Sequence, residues 1–117
     1  MNLQLSLKTK WFEMTKSGIK TEDYREINEY WFKRLIKKDN FELFENFVSL
    51  LPSVYELEPL LKYFETNTMT LGYPKTGDNE RIIKLEHKGI EIRTGNPDWG
   101  AEPNKIYFVI KHGSLAE

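Results

Sequence analysis

The residues with the most chemistry in the shortest span are Gly18-Ile19-Lys20-Thr21-Glu22-Asp23-Tyr24-Arg25-Glu26-Ile27, which run on into Tyr30-Trp31. If residues 21–27 form a strand, alternation puts Asp23 and Arg25 on one face and Glu22, Tyr24 and Glu26 on the other. Lys20 lies at the turn before that strand. A carboxylate and a guanidinium on one face form a charge-assisted pair. With Lys20 beside them, they can clamp a phosphate or a carboxylate. The same trio can orient a proton-transfer group, because a neighbouring cation moves the pKa of a carboxylate or a lysine. The competing reading is an exposed strand with ordinary ion pairs, each worth roughly 0–1 kcal/mol. Glu22 and Glu26 also suit a solvated face.

A second set of candidates is aromatic. Trp99 stands in Thr94-Gly95-Asn96-Pro97-Asp98-Trp99-Gly100, a loop in which a large ring must bury itself or receive a ligand. An indole can stack on a nucleobase for roughly 1–3 kcal/mol. Tyr73 occupies a similar turn, Gly72-Tyr73-Pro74. The chain has two histidines, His87 and His112, without HxH or HExxH spacing, so a metal site is not expected. Ser114 and Thr21 have no nucleophile context. Gly72, Gly77 and Gly95 form no dinucleotide or Walker loop and read as turn glycines.

These residues need elements to hold them. Leu3, Leu5 and Leu7 alternate with Gln4, Ser6 and Lys8, the period of a strand with one buried face. Thr9 is a candidate N-cap for a short helix through Trp11, Phe12 and Met14, and Gly18 is its C-terminal glycine. So short a helix must be held by packing, here by Trp11 and its neighbours. Tyr30, Trp31, Leu35 and Ile36 suggest another short amphipathic helix. Lys33, Arg34, Lys37 and Lys38 form a basic cluster that suits a solvated face.

Phe41, Phe44, Phe47, Val48 and Leu51 follow helical spacing over 40–51, with Asp39 or Asn40 as cap and Pro52 as stop. A further helix is expected over Pro59–Phe64. This aromatic stripe reads as core, with a partner groove as the alternative. Short strands follow: Thr68–Leu71, Arg81–Glu86 ended by Gly89, another starting at Ile90, and Ile106–Ile110. The last is apolar on both faces and belongs inside the sheet. The expectation is four to six strands with three or four short helices in one domain, residues 1–117, with a helical segment at about 40–64 and neither repeat nor long linker.

Composition narrows the function classes. The chain lacks cysteine, which rules out thiolate metal sites, disulfides and cysteine nucleophiles. The formal charge of -1 argues against strong non-specific binding to long nucleic acid, though not against a local basic site. No apolar run reaches the roughly 20 residues of a membrane helix, and the N-terminus lacks a hydrophobic signal region. A cytoplasmic protein without a membrane partner or cofactor is expected.

Gly18-Ile19-Lys20-Thr21-Glu22-Asp23-Tyr24-Arg25 resembles the motif glycine-x-lysine-x-x-glutamate-x-arginine of ASCH domains, members of the PUA-like group. The likeness extends through Glu26-Ile27 and Tyr30-Trp31, and returns at Thr94–Ala101 and Tyr107–Lys111. It is strongest to small stand-alone ASCH proteins of bacteria and phages. The resemblance implies an α+β fold: a small PUA-like β-barrel with short helices packed around it and a cleft near the motif. It implies binding of single-stranded or modified RNA, or of a nucleotide, with Lys20, Asp23, Arg25, Glu26, Tyr73 and Trp99 as ligand contacts and Lys10 as a further phosphate contact.

A branch of the family hydrolyses N4-acetylcytidine with a lysine, a threonine and a glutamate, without metal. Lys20 matches that lysine, but Asp23 stands at the threonine position and in place of the general motif's glutamate. If the chain is an enzyme, Lys20 and Asp23 are its catalytic candidates, with general-base activation of water as the mechanism. Close relatives carry an arginine where Met69-Thr70-Leu71-Gly72-Tyr73 has none. The third reading is a protein-interaction or accessory domain using residues 40–64.

Overall fold

The computed structural model describes residues 1–49, 57–72 and 78–116. In chain order these form β1 (Asn2–Leu7), α1 (Thr9–Lys16), β2 (Glu22–Arg25), α2 (Glu29–Leu35), α3 (Phe44–Ser49), β3 (Thr66–Leu71), β4 (Ile82–Thr94) and β5 (Ile106–Leu115). Short 3₁₀ turns lie at Lys38–Leu43, Glu58–Leu60, Asn79–Arg81 and Pro97–Trp99. The fold is α+β, with strand order β1-β3-β4-β5-β2. Contacts divide the chain into two compact units, residues 1–23, 64–89 and 111–117, and residues 24–63 and 90–110. No helix among the described residues is long and apolar enough to cross a membrane.

In the first unit, β1 does what its period of two requires. Leu3, Leu5 and Leu7 are buried and Gln4 and Ser6 are exposed. β1 pairs in parallel with β3, Leu5 opposite Met69, and β3 pairs antiparallel with β4, Met69 opposite Ile83. This register stacks Leu5, Met69 and Ile83 across three strands, all of them buried. α1 lies against β3. The ring that anchors it is Phe12, fully buried, whereas Trp11 is half-buried under the Lys10 ammonium, 4.8 Å from its ring centre. Burying a phenylalanine stabilises by roughly 1.5–3 kcal/mol, enough to hold a helix of this length in place. Thr9 is the first helical residue and not the cap. Lys8 takes the cap position, without a side-chain bond.

The strand through Gly89 is unbroken. β4 runs for 13 residues, and Gly89 adopts φ +114°, a conformation open to glycine at little cost. The glycine lies within the strand where an end was expected.

In the second unit, Phe32, Leu35, Ile36, Phe47, Phe108, Val109 and Ile110 are buried. Phe32 packs against Phe44 and Phe47 with ring centres 5.2 and 5.1 Å apart, and Phe47 stacks on Phe108 at 6.0 Å. The aromatic stripe is core at Phe47 and half-buried at Phe41 and Phe44. The segment begins as 3₁₀, not α, and turns α-helical at Phe44. Phenylalanines at 41, 44 and 47 repeat every third residue, the period of a 3₁₀ turn, and the Asn40 N–H donates to the Lys37 carbonyl at 2.9 Å. The expected stop at Pro52 lies outside the described residues.

The helix expected over Pro59–Phe64 shrinks to one turn, Glu58–Leu60, with Pro59 in its first positions. Beyond it the chain extends. The Lys37 N–H donates to Leu60 O and the Lys62 N–H to Leu35 O, both at 2.8 Å, around an Ile36–Leu61 antiparallel bridge. Those cross-chain bonds satisfy the backbone groups that a longer helix would have used.

Candidate functional site

The path into the site starts at the end of α1. Ser17 caps the helix and Gly18 follows at φ +86°, the left-handed conformation that ends many helices. The turn brings the Lys20 N–H back to the Met14 carbonyl at 3.0 Å. This satisfies a carbonyl that the helix end would otherwise leave open. It also carries the Lys20 side chain inward, to 1% exposure. There Nζ donates to the Glu22 carbonyl and, at 3.2 Å, to Asp23 Oδ1. Asp23 is itself buried, its side chain 7% exposed. Of the motif's charges, Lys20 and Asp23 thus form a buried ion pair. Two ions taken out of water lose several kcal/mol of hydration each, which their attraction rarely exceeds. Such a pair is a poor choice for stability alone, and sites often keep one for chemistry or recognition.

Beside this pair runs a chain of side chains that spacing in the sequence does not reveal. Asn67 on β3 is fully buried. Its Nδ2 lies 3.2 Å from the Lys111 carbonyl and 2.7 Å from His112 Nδ1, and its Oδ1 lies 2.7 Å from His87 Nδ1. A carbonyl only accepts, so the amide group must face Lys111 and His112. His112 Nδ1 then accepts, and its proton sits on Nε2. His87 Nδ1 carries a proton and donates to Oδ1. The tautomers of both rings follow from one amide. His112 Nε2 is buried without a hydrogen-bond partner among the described residues. Burial lowers the pKa of both rings, that of His112 to about 4. For His112, Asp23 and Glu22 oppose the shift while Lys20 and His87 reinforce it.

His112 and the motif meet at a cleft of about 550 Å³ in the first unit. Its walls come from the end of α1 and the following turn (Thr15, Lys16, Gly18, Lys20, Thr21), from Ile82, Ile83, Lys84 and Leu85 of β4, and from residues 112–116. The His112 N–H donates to the Thr21 carbonyl at 3.0 Å, tying the motif to β5. Lys16 and Lys84 are exposed, whereas Lys20, Thr15 and His112 are buried. The cleft therefore has cations at its rim and an apolar wall that carries a neutral imidazole. Its volume falls in the range of pockets for small ligands. Among the described residues, no group of three His, Asp or Glu side chains is placed to hold a metal ion.

Arg25, Glu26 and Trp99, also predicted, belong to the second unit. The Arg25 guanidinium carbon lies 4.8 Å from the Trp31 ring centre, and Arg34 lies 5.2 Å from the same ring. Glu26 pairs with Lys105 at 2.6 Å, exposed. Trp99 is half-buried in the 3₁₀ turn after Asn96, whose side chain accepts from the Asp98 N–H. Tyr24 supports that loop, its hydroxyl accepting from the Asn96 N–H at 2.9 Å. A Cβ on Gly95 would fall 2.6 Å from the Tyr24 ring, so the loop and ring fit only around glycine. Tyr73 lies outside the described residues. Lys10 sits over Trp11 and is not part of the cleft lining.

Comparison with family models, with curated proteins and with solved structures finds no match to this chain.

Proposed function

We propose that this chain is an RNA- or nucleotide-binding module of the ASCH, PUA-like kind, and that the cleft at Gly18–Thr21 takes one nucleotide unit. The observation that carries this reading is the cleft's polarity. Exposed Lys16 and Lys84 suit a phosphate at the rim, and Ile82, Leu85 and Leu115 offer apolar surface to the flat face of a base. The motif that led to the family resemblance supplies Gly18, Lys20 and Thr21 to the same cleft. Lys20 and Asp23, already paired, fix the wall rather than meet the phosphate.

Hydrolysis of a modified nucleoside is the weaker reading. It needs a base able to activate water. At the cleft, Lys20 is an ammonium bound by Asp23, and His112 has its one acceptor nitrogen held by Asn67.

Titrating isotope-labelled protein with short single-stranded RNAs, mononucleotides and nucleosides, at low and physiological salt, tests the proposal. Amide shifts should cluster at residues 15–21, 82–85 and 112–115. Affinity should fall with salt at a log–log slope of about -0.7 to -1.4, since two rim lysines neutralise at most two phosphates at roughly 0.7 each on single strands. Folded protein that binds nothing in this panel would sink the proposal.

A further inference from the structure

His112 is built in a way that a merely structural histidine does not need. A buried ring normally finds partners for both nitrogens, because an orphaned donor costs about 1–3 kcal/mol. Here Nδ1 is matched at 2.7 Å and Nε2 has no partner among the described residues, although the residue lines the cleft. The unmatched atom has a fixed identity. Asn67 cannot turn over, because its amide group also serves the Lys111 carbonyl, so Nδ1 must accept and Nε2 must carry the proton. His87 holds the far end of the amide and completes the arrangement. Three side chains from three separated stretches of the chain thereby fix one uncharged N–H, buried and without a partner among the described residues, on a residue that lines the cleft.

We propose that His112 is a specificity-determining residue of the cleft, whose Nε2–H donates a hydrogen bond to an uncharged acceptor of the bound base, a ring carbonyl oxygen or an unprotonated ring nitrogen. This rests on the nucleotide-binding reading and assigns the chemistry that selects within it. A fixed donor accepts carbonyl and imine edges and rejects groups that present a hydrogen, such as an exocyclic amine, because two donors would then face each other. The neutral ring gives no reward to a second anion, so the phosphate stays with the exposed rim lysines.

Two measurements on the unaltered protein test this, and both avoid substitutions that could unfold it. Long-range ¹⁵N–¹H spectra of the imidazoles report each tautomer directly. His112 should carry its proton on Nε2 and His87 on Nδ1, and the His112 Nε2–H resonance should move when a nucleoside binds. The second measurement deletes acceptors from the ligand. Cytidine is compared with 3-deazacytidine and 2-thiocytidine, and guanosine with 7-deazaguanosine and 6-thioguanosine, the deaza analogues removing a ring nitrogen and the thio analogues replacing a carbonyl oxygen by sulfur, a poorer acceptor. In whichever set binds, loss of the acceptor that meets His112 should weaken binding about tenfold or more, and the Nε2–H shift should vanish with it. Amide shifts at the cleft with an unmoved Nε2–H and equal affinities within each set would overturn the role of His112 and leave the nucleotide-binding reading standing. A His112 ring protonated on Nδ1 would also overturn it. Silence from every nucleoside and nucleotide would overturn both.

Discussion

At the residue scale, the Lys20–Asp23 pair and the Asn67 network make separate predictions. Removing one ion of a buried pair leaves the other uncompensated, so Lys20→Met or Asp23→Leu should each destabilise by about 3–5 kcal/mol in denaturant unfolding. The double variant should recover much of that loss, because neither ion is then stranded. Simple additivity would mean that the two charges are not coupled. The histidines predict a pH dependence. With the folded pKa of His112 lowered to about 4 from 6.5, both states are neutral above pH 6.5 and stability is complete there. Between pH 6.5 and 4 the unfolded chain takes up a proton that the folded ring refuses, so stability falls as the pH falls and levels off below 4. The His112 share is at most about 3 kcal/mol, at 1.36 kcal/mol per pKa unit. His87 adds in the same direction. Urea midpoints measured across that window in wild type and in Asn67→Leu would check it. A flat profile for wild type would mean that His112 titrates in the folded state.

At the element scale, two glycines separate backbone strain from packing. Gly89 sits within β4 at φ +114°, and a Cβ there would meet only the Lys111 side chain at 3.9 Å, so the strain of a substitution is in the backbone alone. Gly89→Ala should cost about 1–2 kcal/mol, typical of an L-residue forced into the left-handed region. Gly95 is the reverse case. Its neighbours are the Tyr24 ring and the Ala101 Cβ, at 2.6 and 2.7 Å from a built Cβ. Ala101 is buried and Tyr24 is packed on Tyr107, so neither can easily give way. Gly95→Ala should therefore cost more than Gly89→Ala, about 1–3 kcal/mol from overpacking. Shortening Tyr24 as well should return part of it. Thermal unfolding of the two single variants and of Gly95→Ala with Tyr24→Leu would measure the ordering.

At the scale of the whole molecule, a formal charge of -1 leaves no global attraction for nucleic acid, so any binding must come from local cations. Changing Lys16 and Lys84 together to glutamate should weaken binding of a mononucleotide or short RNA at least tenfold and flatten its salt dependence, with little effect on stability, because both side chains are exposed. Binding that survives the double change with its salt slope intact would move the phosphate away from this rim.

The division between what the sequence states and what the fold decides follows from the range of the forces. Local pattern showed the mix of short strands and short helices, the buried face of β1, the glycine that ends α1 and the interior place of β5, because hydrophobic period and turn chemistry act within a few residues. It also placed Lys20 and Asp23 close together, since they are three residues apart. Local pattern failed where contacts between distant segments overrode it. The extended chain around Leu61 took its bonds from residues 35 and 37, and β4 ran on through Gly89 as one strand. Asn67, His87 and His112 are 20 and 45 residues apart along pairs joined by hydrogen bonds, so neither composition nor spacing could bring them together. Only pairing and packing set that amide between two rings, and with it a donor on a cleft residue that has no partner among the described residues.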